Sequence, residues 1–176
     1  MRARPSNYPP EMPASERLHF AEITVDTASA EDTRALAAEL GRGMSAGDFV
    51  ALMGPLGAGK TVFVQGLAEG LGVEGHVTSP TFVLMRLHNG RPPLCHVDAY
   101  RVGSAQELIE LGIDDWRQGT VLALEWADTV REVLPEERIE VLIEYVNEGR
   151  RLHLRGIGRR PARTVERLDR HENTGD

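Results

Sequence analysis

The chain has 176 residues, and its 20 basic against 27 acidic side chains give a formal net charge of −7. Its length suits one compact domain. Its single cysteine, Cys95, excludes an internal disulfide framework and is typical of a reducing compartment. No apolar run approaches the roughly 18 residues of a membrane span, and the N-terminus lacks a secretory signal, so we expect a cytoplasmic protein. Lys60 is the only lysine, which makes its position a place to look for function.

The hydrophobic pattern alternates between the period of strands and that of helices. In chain order, the predicted elements are a strand at His19–Val25, a helix that begins after Ser29, a strand at Phe49–Met53, a helix at Lys60–Leu71, strands at Thr81–His88 and Leu94–Tyr100, a helix at Ala105–Leu111, and strands at Val121–Trp126, Ile139–Tyr145 and Arg151–Ile157. Ser29 with Asp32 three residues later is a capping-box start for the first helix. Gly72 suits the end of the second helix, and Asn89-Gly90 predicts a tight turn.

Strands that alternate with helices indicate an α/β domain, with a mostly parallel sheet flanked by helices and an antiparallel C-terminal hairpin around 147–149. We expect this single domain to span residues 18–158. Residues 1–17 are predicted to form a disordered proline-rich extension, and residues 159–176 a disordered arginine-rich tail. The arginines of residues 149–170 indicate either a surface for RNA or an acidic partner, or a solvated strand and frayed tail.

A phosphate-binding loop follows the second predicted strand. Residues 54–61 read G-P-L-G-A-G-K-T, which satisfies the pattern G-x-x-x-x-G-K-[ST] between a strand and a helix and predicts a P-loop NTPase-like domain. The glycines let backbone N–H groups turn toward phosphate oxygens, and the positive end of the following helix adds to this site. A compact ammonium suits the β- and γ-phosphates, and a threonine hydroxyl suits Mg²⁺. The candidate nucleotide-binding residues of the loop are Leu56, Gly57, Ala58, Gly59, Lys60 and Thr61.

Two predicted strands end in an acid, at Asp98 and at Glu125. P-loop enzymes take the acidic partner of their metal ion from the end of a neighbouring apolar strand. Because the carboxyl ends of parallel strands meet at the edge that carries the P-loop, we expect both acids to converge near the γ-phosphate and Mg²⁺. The spacing does not decide which acid holds the metal ion and which orients the attacking water. The alternative interpretation of each residue is an acid that ends a strand in contact with solvent and has no role in a site.

Other polar and aromatic residues lie near these motifs. Ser79 and Thr81, in the segment T-S-P-T-F after the second helix, are candidates for sensing the γ-phosphate, as in P-loop switches, unless the segment is an ordinary turn. His96 lies beside Cys95, but neighbouring strand residues point to opposite faces, so we expect no zinc site. Trp126 is a candidate for stacking on a partner or nucleotide, with core packing as the alternative.

The base is inferred by elimination. The sequence has neither the N-K-x-D loop of guanine-specific switches nor the L-S-G-G-Q segment of transporter ATPases. Adenine is the remaining default, so we expect ATP with Mg²⁺.

In these motifs the chain resembles the TsaE family, also called YjeE, which are small bacterial P-loop ATPases of tRNA threonylcarbamoyladenosine synthesis. The family pattern runs G-D-L-G-A-G-K-T, S-P-T-[FY], H-x-D-x-Y-R and E-W. This chain has G-P-L-G-A-G-K-T at 54–61, S-P-T-F at 79–82, H-V-D-A-Y-R at 96–101 and E-W at 125–126. The helical segment Glu107–Trp116 also resembles the family, and the resemblance spans residues 22–157.

The resemblance implies roles for the residues of the predicted site. Lys60 and Thr61 would bind phosphate and Mg²⁺, and Trp126 would matter for activity. Asp98 and Glu125 would be the metal-linked and catalytic acids.

Two further residues match family positions outside these motifs. Thr33 corresponds to a threonine near the nucleotide, and Arg150 to a phosphate or nucleotide contact. Pro55 departs from the usual aspartate, which puts any partner contact of that aspartate in doubt.

The resemblance also implies partners. Family members work with TsaB and with TsaD, the transferase that modifies the adenosine beside the anticodon. The resemblance therefore implies that this chain acts on tRNA only indirectly, through these partners. ATP hydrolysis would reset that complex between turnovers. Neither DNA nor a membrane is expected. A small-molecule P-loop kinase, or a nucleotide-dependent binding module that does not hydrolyse ATP, is the alternative.

Overall fold

The computed structural model describes residues 19–80 and 82–172. The predicted extension at 1–17 and Thr81 lie outside the described residues. The elements in chain order are β1 (Phe20–Thr27), α1 (Ala30–Arg42), β2 (Phe49–Met53), α2 (Lys60–Gly70), β3 (Met85–His88), β4 (Leu94–Asp98), α3 (Ala105–Glu110), α4 (Ile113–Gly119), β5 (Val121–Glu125), β6 (Arg138–Val146), β7 (Gly149–Ile157) and α5 (Arg159–Glu172). Two 3-10 turns, Ala99–Arg101 and Ala127–Val133, follow β4 and β5.

The strands form one sheet in the order β1-β7-β6-β2-β5-β4-β3. The central pairs β6–β2, β2–β5 and β5–β4 are parallel, whereas the outer pairs are antiparallel. The prediction of an α/β domain is therefore confirmed, with the parallel part confined to the centre of a mixed sheet. The C-terminal hairpin is confirmed as β6 and β7. The carboxyl ends of β2, β4 and β5 lie together at one edge, where ligands bind in sheets of this kind.

Two apolar layers cover this sheet. One face packs against α1, α2 and α5, and part of the other packs against α3, α4 and the Ala127–Val133 turn. Every residue of β2, β4 and β5 is buried, as expected for central strands with both faces covered. Half of the predicted capping box of α1 forms: the Ser29 hydroxyl accepts from the Asp32 N–H at 3.0 Å. The Asp32 carboxylate accepts from the N–H of Ala28, one residue before the cap, at 3.2 Å.

Several predicted elements have different bounds. β3 begins only at Met85, and β4 ends at Asp98 because its carboxylate accepts from the Tyr100 N–H and starts a 3-10 turn. The connection between these strands spans residues 89–93, so it is longer than a two-residue turn at Asn89-Gly90. Within it, Arg91 donates its N–H to Leu71 O, directly after α2. The helical segment Glu107–Trp116 is interrupted at Gly112, whose φ is 73°.

The predicted disordered tail is wrong for residues 159–172, which form α5. Ala162, Val165 and Leu168 recur every three residues and are buried in the core beside β1 and β7, whereas Arg163 lies on the exposed side. The many arginines make this segment polar on average, although its apolar residues keep the spacing of an amphipathic helix. None of the described helices has the length and hydrophobicity to cross a membrane.

We expect Leu168→Ala to lower the free energy of unfolding by about 2–5 kcal/mol, because it removes a buried side chain and leaves a cavity. Arg163→Ala, on the exposed side of the same helix, should change it by less than about 0.5 kcal/mol. Urea unfolding of both variants measures the difference. Equal effects would contradict the packing of α5.

Candidate functional site

The loop between β2 and α2 has a backbone that only glycine adopts without strain at its key positions. Gly54 has φ 136°, and Gly57 has φ 76°. A Cβ at Gly54 would lie 2.4 Å from the Ile143 carbonyl oxygen, and one at Gly57 would lie 2.8 Å from the Tyr145 hydroxyl. The conformation and the close approach of the β6–β7 hairpin therefore both require these glycines.

The hairpin holds the loop through its carbonyl groups. Tyr145 donates its hydroxyl to Leu56 O at 2.7 Å, and Arg150 donates Nε to Ala58 O at 3.0 Å. The Arg150 guanidinium also lies 4.3 Å from the centre of the Tyr145 ring. In a trans peptide the N–H points opposite to the C=O, so the N–H groups of Gly57 and Gly59 are directed away from the hairpin. The loop is thus held in a shape suited to anions.

The only lysine of the chain lies at the base of this loop. Lys60 is 4% exposed, and its Nζ donates to Gly54 O at 2.7 Å and to Pro55 O at 2.9 Å. It also lies 3.7 Å from the centre of the Trp126 ring, a cation–π contact. Burial lowers the pKa of Lys60 below its usual value, although nearby carboxylates, Glu125 first, act in the opposite direction. The ammonium is therefore held beside the loop by two backbone carbonyl groups.

The two strand-end acids lie side by side. Asp98 and Glu125 are paired residues of the parallel strands β4 and β5, and both are buried. The Thr61 hydroxyl donates to the two oxygens of Glu125 at 3.0 and 3.2 Å. Asp98 accepts from the Ser79 hydroxyl and from the Tyr100 N–H, each at 2.9 Å. The structure therefore brings four sequence candidates, Thr61, Ser79, Asp98 and Glu125, to one edge of the sheet.

His96 belongs to the same group, which the sequence reading missed. Its Nε2 lies 2.8 Å from Glu125 Oε1, and both side chains are buried. His96 and Asp98 are two residues apart on β4 and therefore share a face of the sheet. Strand alternation was the signal that would have found this contact, but the sequence reading considered His96 only as a zinc ligand.

A cleft of about 430 Å³ lies between the loop and the acids. Its lining includes Lys60, Thr61, Asp98, Glu125 and Trp126. The Trp126 ring packs against the Tyr100 ring, with centroids 4.9 Å apart. This half-buried tryptophan therefore lines the cleft and also packs against the core beneath it.

A second cavity of about 260 Å³ lies on the other side of the loop. Gly57, Gly59 and Val62 line both spaces, while Thr33 and Arg150 line only the second. The Thr33 hydroxyl is already used within the fold: it lies 2.8 Å from the Thr27 hydroxyl and donates to Ser29 O at 3.1 Å.

The residues of the first cleft fit a magnesium nucleotide. A Cβ at Gly59, whose φ is 110°, would meet no atom within 4 Å, so space remains beside the loop. The donors nearby are a hydroxyl and carboxylates, which Mg²⁺ prefers. Within residues 19–80 and 82–172, no group of three or more His, Cys, Asp or Glu side chains is placed to hold a metal ion.

Comparisons with known proteins agree on one family. The family model described as "Threonylcarbamoyl adenosine biosynthesis protein TsaE" matches residues 27–153. A Bacillus subtilis protein named tRNA threonylcarbamoyladenosine biosynthesis protein TsaE is 39% identical over 150 residues, which cover 84% of this chain and 94% of the relative. A Streptomyces coelicolor protein of the same name is 43% identical over 136 residues, covering 72% and 92%. The crystal structure of Bacillus subtilis YdiB matches with a TM-score of 0.76 and 34% identity, covering 88% of this chain and 98% of that one.

Proposed function

The chain belongs to the TsaE family of tRNA threonylcarbamoyladenosine biosynthesis proteins, and from that premise we propose that it is a Mg²⁺-dependent ATPase. The observation that carries the proposal is the link from the hydroxyl of Thr61, the last residue of the P-loop, to the Glu125 carboxylate. A hydroxyl and a carboxylate joined at this point are the metal-side groups that P-loop NTPases use.

Each residue of the cleft has a role in this proposal. Lys60 binds the β- and γ-phosphates once its ammonium exchanges the loop carbonyls for phosphate oxygens. Thr61 and Asp98 serve the metal ion, and Glu125 serves the metal ion or orients the attacking water. When bound, Mg²⁺ neutralises charge on the phosphates and lowers the cost of breaking the terminal bond. Trp126 holds Lys60 in the cleft through its ring.

We further propose that the nucleoside end of ATP occupies the second cavity, between Thr33 and Arg150. The support is the continuity of this cavity with the cleft through Gly57, Gly59 and Val62. Thr33 shapes the wall, since its hydroxyl is bonded within the fold. Thr81 was a further candidate for nucleotide contact from the sequence.

We expect Arg150→Gln to weaken ATP binding about tenfold, because the variant loses charge-assisted bonds that brace the loop carbonyls, worth about 1.5 kcal/mol. The matched control is Arg151→Gln. Arg151 is the next residue on β7, and its guanidinium pairs with Asp26 at 2.6 Å away from the loop. Titration calorimetry with ATP measures both affinities. Equal affinities of the two variants would contradict the role of Arg150.

We propose that the chain acts on an assembly of TsaB and TsaD in the cytoplasm, meets tRNA only through that assembly, and resets it by cycles of ATP binding and hydrolysis. Large apolar side chains that are exposed at or beside the cleft support a partner there, since exposed apolar patches mark interaction sites. They are Leu56, Phe82, Val83 and Tyr100.

The partner proposal is tested by a pull-down of TsaB and TsaD with and without ATP, together with nucleoside analysis of tRNA from cells depleted of the chain. We expect nucleotide-dependent capture and loss of threonylcarbamoyladenosine. Capture that ignores ATP would contradict nucleotide-driven cycling. Unchanged tRNA modification would contradict a required role in this modification while leaving ATP hydrolysis standing.

A further inference from the structure

His96 is a fully buried side chain whose ring is directed at the candidate site. It lies in the middle of β4, where both neighbouring strands pair with it, and its relative exposure is 0%. Its Nε2 is 2.8 Å from Glu125 Oε1. An ionised carboxylate only accepts hydrogen bonds. With Glu125 ionised, Nε2 is therefore the donor of this contact and Oε1 the acceptor.

The other ring nitrogen does not compete for this orientation. Within the described part of the chain, His96 Nδ1 is buried without a hydrogen-bond partner. The ring is thus oriented by its packing and by the contact with Glu125. A buried polar atom without a partner costs free energy. The chain has a histidine here even though an apolar side chain would also fill the space, which indicates a use for the other ring nitrogen.

Two side chains donate hydrogen bonds to Glu125, and the two donors differ in permanence. One comes from the Thr61 hydroxyl at the start of α2, and this oxygen is also the proposed ligand of the metal ion. The other comes from His96 on a central strand. When the Thr61 oxygen turns toward a metal ion, the His96 donor is the one that still holds the carboxylate.

We propose that His96 is a positioning residue for Glu125: its Nε2–H holds Oε1 and leaves the second oxygen in a fixed place for the metal ion or the attacking water. The inference rests on the proposed ATPase function and deepens it. Outer-shell donors of this kind orient a carboxylate and typically change metal affinity or activity 10- to 100-fold when removed.

Three replacements of His96 separate positioning from packing. His96→Leu keeps much of the volume and removes the donor. His96→Gln places an amide N–H near the position of Nε2, whereas the shorter His96→Asn places its amide nearer Nδ1 and does not reach Glu125. The matched control is His88→Leu on β3. The His88 ring lies 6.3 Å from that of His96, and within residues 19–80 and 82–172 its Nε2 has no hydrogen-bond partner.

The readouts are kcat and KM for ATP, the Mg²⁺ concentration that gives half-maximal ADP binding, ADP affinity in EDTA, and the melting temperature. We expect His96→Leu and His96→Asn to lower kcat or to raise the Mg²⁺ midpoint by about 10-fold or more. Their KM for ATP and their ADP affinity in EDTA should stay within about twofold of wild type. His96→Gln should lie within about threefold of wild type, and His88→Leu should match wild type.

Several results would overturn the inference. If His96→Gln and His96→Asn change kcat and the Mg²⁺ midpoint equally, the effect is one of packing. The same holds if His88→Leu is as impaired as His96→Leu. The comparison of Gln with Asn remains decisive if His96→Leu does not fold. A wild-type chain that hydrolyses ATP while every His96 variant equals it would overturn this inference alone. A wild-type chain that neither binds Mg²⁺–ADP nor hydrolyses ATP would overturn the proposed function and this inference with it.

Discussion

Replacing Lys60 with alanine is expected to weaken ATP binding more than about 100-fold. The lysine is buried beside the loop, where its Nζ contacts the carbonyl oxygens of Gly54 and Pro55, so it is already positioned for a phosphate. Hydrogen bonds to a charged group are worth about 1.5–3 kcal/mol each, and the loss of two exceeds 100-fold in affinity. Titration calorimetry of wild type and Lys60→Ala with ATP in Mg²⁺ measures the change.

Lys60→Arg distinguishes position from charge. We expect it to bind ATP poorly as well, because a planar guanidinium does not fit between the two loop carbonyls and the Trp126 ring, 3.7 Å from Nζ. Arg42→Ala, at the exposed end of α1, serves as the control for general loss of positive charge and should bind as wild type does. ATP affinity of Lys60→Ala within about threefold of wild type would contradict the assignment of the phosphate site.

Glu125→Ala should still bind ATP but hydrolyse it about 100-fold or more slowly, since it removes the group that serves the metal ion or the attacking water. Glu125→Gln tests the loss of the negative charge with less disturbance of the buried contacts than Glu125→Ala. Its amide oxygen can still accept from His96, so the buried Nε2–H keeps a partner that alanine would remove. Equilibrium binding of ATP and steady-state release of phosphate, measured on the same samples, separate the two effects.

Glu140→Gln is a suitable control for Glu125→Gln, because Glu140 lies on β6 and pairs with Arg138 at 2.7 Å. We expect it to hydrolyse ATP at the wild-type rate. Equal rates for Glu125→Ala and wild type would remove Glu125 from the catalytic role.

The sequence predicted the centre of the fold and of the candidate site because both depend on local pattern. The P-loop lies between an apolar strand and a helix, and the acids of β4 and β5 end parallel strands, so Asp98 and Glu125 become neighbours. These relations follow from strand alternation and from the rule that parallel strands share an edge.

The parts that the sequence reading missed depend on contacts between distant segments or on a period hidden by composition. The family resemblance names Arg150 as a phosphate or nucleotide contact, but no local pattern indicates that the β6–β7 hairpin carries it to the loop carbonyls, Ala58 O among them. His96 was considered only as a metal ligand, although its spacing from Asp98 placed it on the same face. In α5 the arginines outnumber the apolar residues, and the three-residue spacing of Ala162, Val165 and Leu168 was overlooked.

We propose above all that this chain uses ATP hydrolysis to reset a tRNA-modifying assembly. The most direct test of this proposal is a reconstitution with TsaB, TsaD, tRNA and Mg²⁺–ATP, in which threonylcarbamoyladenosine formed per assembly and phosphate released are followed together. We predict many modifications per assembly with the wild-type chain and at most about one with Glu125→Gln. Equal accumulation of the modified nucleoside with both chains, or repeated turnover without phosphate release, would contradict the account.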